Sequence, residues 1–143
     1  MTKLDHCNIR TLDLPATIGF YSDVLELKSS FFPGASDRGA WLYDSTDRPV
    51  IHLVAVDPGD PAGSIAAIRG MRGDGQGGEF DPSMLKGSGA IDHIAFECSD
   101  YDDMEGKLQS LDLSFTRNHV ESIGLRQLFV NDPNGITVEL NFR

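Results

Sequence analysis

The chain has 143 residues, 40 % apolar and 24 % charged, enough for one domain with its own core. Its net charge of −10 argues against nucleic acid or an anionic membrane as the main partner, since both demand concentrated Lys and Arg; a small anionic substrate, held by one or two local cations, stays open. No run of about 18 apolar residues offers a membrane span, no signal-peptide pattern opens the chain, and Cys7 and Cys98 fit two reduced core residues of a cytoplasmic protein better than a disulfide framework or zinc cluster.

Residues 3–10 alternate, with His6 and Asn8 on one face and Cys7 and Ile9 on the other, which predicts a strand. Asp13 follows as an N-cap with Pro15 in the first helical turn. Leu14, Ile18, Tyr21 and Leu25 recur at helical spacing as one apolar face. Residues 40–43 and 49–56 read as strands around the turn-rich stretch 44–48. The stretch 57–90, with nine glycines and three prolines, reads as a linker or a lid with one helical turn at 64–69. Strand 91–97 then leads to a helix capped near Ser99 or Asp100, whose buried face is Tyr101, Met104, Leu108 and Leu111. Strands near 113–117, 125–130 and 136–142 complete the chain, the last two joined by the turn Asp132-Pro133-Asn134-Gly135. His119 falls in a loop between strands, solvent-exposed or at a cleft edge.

The two halves repeat. Leu4-Asp5-His6 matches Ile91-Asp92-His93 at an offset of 93 − 6 = 87. The same shift places Asp13 on Asp100 and Val50-Ile51-His52-Leu53 on Thr137-Val138-Glu139-Leu140. The expected fold is α+β: two tandem βαβββ modules, module one at 3–56, a Gly-rich linker at 57–90 and module two at 91–143. His6, His52, His93 and Glu139 each interrupt an apolar strand, where a lone polar group is costly unless paired or ligated. The repeat makes His6 equivalent to His93 and His52 to Glu139, and pseudo-twofold pairing would gather all four around one divalent metal ion. Imidazole and carboxylate suit zinc, nickel, iron(II) or manganese alike.

These residues resemble the vicinal-oxygen-chelate superfamily, which includes glyoxalase I, methylmalonyl-CoA epimerase, fosfomycin-modifying thiol transferases, extradiol dioxygenases and bleomycin-binding proteins. The resemblance rests on the opening Leu4-Asp5-His6-Cys7-Asn8-Ile9, the helix start from Asp13 to Tyr21, and the ending from Phe129 through Asp132-Pro133-Asn134-Gly135 to Glu139-Leu140. It implies a curled mixed eight-stranded sheet around a metal cleft, with helices outside. It also implies that His6, His93 and Glu139 are metal ligands, and that His52 stands where glyoxalase I has a glutamate that is both ligand and base. His52 is then a fourth ligand or an acid/base. Arg10 and Phe129 are the residues it turns toward substrate. Arg10 matches an arginine that meets the glutathione carboxylate in glyoxalase I, though a solvated strand end explains it equally. Phe129 stands where the extradiol dioxygenases place a tyrosine. Trp41, Phe80 and Tyr101 are candidate pocket residues, with core or surface packing as the plainer reading.

The activity so implied is that of a metal-dependent glyoxalase-like lyase or isomerase, moving a proton on a small substrate with vicinal oxygens through a metal-stabilised enolate. The alternatives are an Fe(II) ring-cleaving dioxygenase, favoured by His52 and disfavoured by Phe129; a thiol transferase of the fosfomycin-resistance type; and a non-catalytic drug-binding protein. The expected partners are a small-molecule substrate, a thiol conjugate among the options, and a second copy in a homodimer. Either pairing of the modules, within one chain or swapped between two, is open.

Overall fold

A computed structural model describes residues 2–31, 38–71, 81–89 and 91–143. The chain divides into two compact units, Met1–Leu85 and Lys86–Arg143. The first holds β1 (Cys7–Thr11), α1 (Leu14–Leu25), β2 (Lys28–Phe31), β3 (Gly39–Tyr43), β4 (Pro49–Ala55) and α2 (Pro61–Met71). The second holds β5 (His93–Glu97), α3 (Tyr101–Ser110), β6 (Phe115–Val120), β7 (Leu125–Asn131) and β8 (Thr137–Phe142). The eight strands form two four-stranded sheets, ordered β1-β4-β3-β2 and β5-β8-β7-β6. In each, one parallel pair (β1 with β4, β5 with β8) adjoins antiparallel neighbours. This is the α+β arrangement of two βαβββ modules.

The repeat survives at the level of backbone pairing. Cys7, Asn8 and Ile9 oppose Ile51, His52 and Leu53; Ile94, Ala95 and Phe96 oppose Val138, Glu139 and Leu140. Every one of these positions is shifted by 87, as 94 − 7 and 138 − 51 show. The third strands differ: Trp41 opposes His52, whereas Phe129 opposes Glu139, a shift of 129 − 41 = 88. A β-bulge accounts for the extra residue. Leu42 pairs with Ile51 but Tyr43 with Pro49, leaving Val50 as an additional residue in β4. Beyond the bulge both turns are built alike, because Asp44 and Asp132 each fold a carboxylate back onto turn amides. Asp44 Oδ1 accepts from the backbone of Thr46 (2.9 Å) and Arg48 (3.1 Å). Asp132 Oδ1 accepts from Asn134 (2.8 Å) and Ile136 (2.9 Å). Hydrogen bonding, first from the Thr46 hydroxyl, holds the Asp44 carboxyl below its ordinary value.

The helix starts are those the sequence predicts. Asp13 Oδ1 accepts from Ala16 N–H at 3.0 Å and Asp100 Oδ1 from Asp103 N–H at 3.3 Å. The buried stripe of α1 is rotated from the expected one: Thr17, Phe20, Tyr21 and Val24 are buried, while Leu14, Ile18 and Leu25 flank it half-exposed. Thr17 tolerates burial because its hydroxyl is satisfied, by Thr11 Oγ1 at 2.9 Å and the Asp13 carbonyl at 2.8 Å. In α3, Met104 and Leu108 are buried, Tyr101 is half-buried and Leu111 is exposed. Ile9, Leu42, Ile51 and Leu53 are buried on one face of the first sheet; Leu128, Val138, Leu140 and Phe142 are their counterparts in the second. Strand alternation then leaves His52 and Glu139 on the opposite faces.

Other details depart from the sequence reading. Strand β2, which a βαβββ module requires but which the sequence pattern does not locate, lies at Lys28–Phe31. His119 lies within β6, opposite Arg126 and exposed, rather than in a loop. His6 precedes β1, which starts at Cys7. The stretch expected as linker contains the 11-residue helix α2, where one turn was expected. Ile65 explains it: with Val56 and Leu85 it forms a buried apolar cluster onto which Ile68 packs, and tertiary burial of this kind sustains a helix that composition alone disfavours. Phe80, and with it most of the Gly-rich run considered as a lid, lies outside the described residues. Both cysteines are free, and burial pushes the Cys98 thiol up to about 11, so it stays protonated at neutral pH. Among the described residues no helix is long and apolar enough to cross a membrane.

The second turn sets the β7–β8 register and so the residues opposite Glu139. Asp132 is 4 % exposed, and its replacement strands the Asn134 and Ile136 amides. We expect Asp132→Ala to cost about 1–3 kcal/mol, read as a lower urea midpoint at unchanged slope. Gly135, at φ 79°, should lose about 1–2 kcal/mol on mutation to Ala.

Candidate functional site

In the first unit β4 is flanked on both sides, and His52 sits mid-strand with Asn8 and Trp41 as its direct cross-strand partners. Both partners hold the ring. Trp41 stacks on it, centroids 4.1 Å apart and planes at 11°. Asn8 Nδ2 donates to His52 Nδ1 at 2.9 Å. An amide NH2 has only hydrogens to offer, so Nδ1 is the acceptor and the neutral ring carries its proton on Nε2. Nε2 is itself buried. Burial, aided by the nearby His6, lowers the His52 pKa below 6.5. His52 is therefore a neutral imidazole at physiological pH with its N–H at Nε2; for Nε2 to ligate a metal, Asn8 would have to turn its carbonyl oxygen toward Nδ1. His6 lies edge-on to Trp41 at 4.8 Å and 6.0 Å from the His52 ring. Arg10 is half-buried two residues beyond Asn8 on the same strand face.

In the second unit Glu139 occupies the position of His52. It is a carboxylate only 8 % exposed, and its polar partners among the described residues are placed to donate hydrogen bonds. His93 Nε2 stands 3.1 Å from Oε2. Gln127 Nε2 and Asn141 Nδ2 donate to Oε1 at 2.9 and 2.8 Å. His93 Nδ1 meets Asp92 Oδ2 at 2.8 Å; the Asp92 hydrogen bond, with the charge of Glu139, raises the His93 pKa above 6.5. His6 Nδ1 meets Asp5 Oδ2 at 2.6 Å in the same way. Each repeated Asp-His pair thus fixes Nδ1 as the donor and turns Nε2 outward as the possible ligand atom, a common arrangement for metal-binding imidazoles. Phe129 stands opposite Glu139 on the same face and borders an open depression lined by Ser114, Phe115, Thr116, Asn131 and Thr137. Tyr101 packs instead against Phe142 at 5.2 Å, three residues from Glu139 and so on the other face of β8.

The donor chemistry of the second unit fits a divalent ion. Two ligands about 2.1 Å from one ion and roughly 90–110° apart lie about 3.0–3.4 Å from each other, and the His93–Glu139 separation of 3.1 Å is of that size. Without a metal the same pair is a charged hydrogen bond. Neither unit alone gathers three His, Cys, Asp or Glu ligands among its described residues. Trp41, a pocket candidate in the sequence, stacks on His52, whereas Asn8, Gln127 and Asn141 are partners that the sequence reading does not place at the site. Period-two alternation was the available signal: Gln127, Phe129 and Asn131 share a face of β7, as do Thr137, Glu139 and Asn141 of β8.

A family model described as the Glyoxalase/Bleomycin resistance protein/Dioxygenase superfamily matches residues 3–140. The Arabidopsis thaliana protein named Glyoxylase I 4 is 25 % identical over 147 residues, spanning 98 % of this chain and 70 % of its own. Among solved structures, the fosfomycin resistance protein FosX from Listeria monocytogenes superimposes with a TM-score of 0.65 at 14 % identity, over 100 % of this chain and 94 % of its own. Lactoylglutathione lyase from Agrobacterium tumefaciens gives 0.59 at 16 % identity, over 99 % and 94 %. At these identities the two structures are alike in fold.

In the metal-free protein the two histidines should titrate in opposite directions, measurable by NMR of the imidazole protons: His52 below 6.5 and His93 above it. Because the fold depresses His52, its contribution to stability is present above the unfolded value of 6.5 and lost as pH falls through the lower folded value. Because the fold raises His93, its contribution is present below 6.5 and lost as pH rises through the folded value. Asp92→Ala should bring the His93 midpoint down; an unmoved midpoint would show that Asp92 does not act on the ring.

Proposed function

The chain belongs to the Glyoxalase/Bleomycin resistance protein/Dioxygenase superfamily, and from that membership we propose that it is a metal-dependent lyase or isomerase that moves a proton on a small substrate bearing two adjacent oxygens. The observation that carries the reading is the buried carboxylate of Glu139 with His93 Nε2 at 3.1 Å from its free oxygen. A carboxylate withdrawn from water needs a cation, and a divalent ion satisfies it and uses the imidazole lone pair at once.

In this reading His6, His93 and Glu139 are the ligands, and His52 is the acid/base. A bound divalent ion would supply Lewis-acid polarisation of substrate oxygens. The chain's own residues do the rest. Asp5 and Asp92 hold the Nδ1 protons of His6 and His93, so Nε2 of each is the ligand atom. His52 is neutral and stacked on Trp41; with the Asn8 amide turned so that its oxygen accepts from Nδ1–H, Nε2 would take the proton from the substrate carbon beside the carbonyl, and the imidazolium so formed would return it to the adjacent carbon, leaving the ring neutral for the next turnover. Arg10 would meet an anionic arm of the substrate, a thiol conjugate among the candidates, and Phe129 an apolar one. The oligomer we propose is a homodimer, and the compartment cytoplasmic. The relative named Glyoxylase I 4 supports the lyase reading. A ring-cleaving dioxygenase is the second reading, favoured by the neutral His52 on β4 and disfavoured by Phe129, which has no proton to give.

The test is metal affinity by chelator competition alongside turnover of hemithioacetal substrates with Zn, Ni, Mn and Fe(II), and of catechols with Fe(II) in air. Glu139→Ala should weaken metal binding by at least about 100-fold and abolish turnover together. His52→Ala should cost about 10²–10⁴ in turnover with metal retained. Loss of metal in His52→Ala would make that ring a ligand instead. Wild-type protein that binds none of the four ions would leave the drug-binding alternative.

A further inference from the structure

The two oxygens of Glu139 are not equivalent, and the difference is built by a neighbouring rung of the sheet. Asn118 of β6, Gln127 of β7 and Asn141 of β8 are direct cross-strand partners. Asn118 Nδ2 donates to Gln127 Oε1 at 2.7 Å. That fixes which way the Gln127 amide faces, since turning it over would set two donors against each other there and two acceptors against each other at Glu139. Gln127 Nε2 then donates both to Glu139 Oε1 and to Asn141 Oδ1, each at 2.9 Å, and Asn141 Nδ2 donates to the same Oε1 at 2.8 Å. Gln127, Asn141 and Glu139 close a ring of hydrogen bonds that Asn118 holds from outside, and Gln127 is 8 % exposed. Oε1 accepts from two amide donors; among the described residues Oε2 is met by His93.

We propose that Gln127, aligned by Asn118 and Asn141, is the positioning residue that makes Glu139 a one-oxygen ligand, offering Oε2 and withholding Oε1; this rests on the reading of Glu139 as a metal ligand. To take both oxygens, an ion would have to break two charge-assisted hydrogen bonds whose donors are then left without an acceptor in a buried place. Withholding Oε1 leaves one more coordination position for water or substrate. It also disfavours larger ions that take carboxylates through both oxygens.

The experiment uses the full chain loaded with Co²⁺, whose visible d–d spectrum reports coordination number, and competes Zn²⁺ against a chelator. Gln127→Met keeps side-chain length and apolar stem but removes every amide hydrogen bond. It should weaken Zn²⁺ binding by about 10–100-fold and change the Co²⁺ spectrum toward a higher coordination number as Oε1 is released. Asn118→Ala, at an exposed residue that leaves folding intact, should move both readouts the same way by less. Spectra and affinities within twofold of wild type for both variants would overturn the proposal, even with a lowered thermal midpoint, because a merely structural glutamine would lower stability and leave the spectrum alone. If Gln127→Met fails to fold, Asn118→Ala decides. Glu139→Gln is run beside them: if it too leaves Co²⁺ unchanged, the ligand reading has failed, and the positioning proposal with it; if it alters Co²⁺ while the other two do not, only the positioning proposal has failed.

Discussion

A strand inside a four-stranded sheet gives its backbone to neighbours on both sides, so all it can present to a ligand is its side chains, and those alternate. Strands β4 and β8 hold that interior position. On one face each delivers residues to a core, Ile51 and Leu53 in the first unit, Val138 and Leu140 in the second. On the other face the same geometry must present one residue at the middle of the sheet, and there the chain has His52 and Glu139. Neither can rotate away, because the residues before and after it are fixed in the core. The rest of each site is arranged around that fixed point: direct cross-strand partners first, and residues one rung away next.

The two units answer the constraint differently. Around His52 the partners are a stacked indole and one amide, an environment that favours the uncharged ring. Around Glu139 they are two amides and an imidazole, all placed to donate to its oxygens. One duplicated backbone thus hosts a stacked imidazole in one copy and a buried, hydrogen-bonded carboxylate in the other. The difference lies wholly in side chains at equivalent backbone positions, which is why the repeat is easier to see in the pairing than in residue identities.

Much of this was legible in the sequence, and the reasons are local. The caps Asp13 and Asp100, the turn from Asp132 to Gly135 and the equivalence of His52 with Glu139 follow from short-range rules that the structure obeys. What escaped depends on contacts far apart in the chain. The rotation of α1 needs Thr11 to satisfy Thr17. The length of α2 needs Val56 and Leu85. Strand β2, with Ser29 and Ser30 at its centre, carries too little apolar alternation to announce itself, and exists because β3 offers an edge. The partners Gln127, Asn118 and Asn141 were in plain view as polar residues in strands, but only the register between three strands puts them on one rung.

The bulge at Val50 has a bearing on anyone who would build with this chain. The modules look like interchangeable cassettes, and a fixed shift of 87 would pair Trp41 with Leu128, an inward core residue. Because the extra residue lies between the turn and His52, a graft cut in that turn and joined at constant spacing would carry a whole strand one step out of phase, turning core side chains to the other face of the sheet and His52 into the core. A workable chimera must take the β3–β4 hairpin with its bulge as one piece. The two halves are thus a duplicated scaffold whose seams are no longer at matching places.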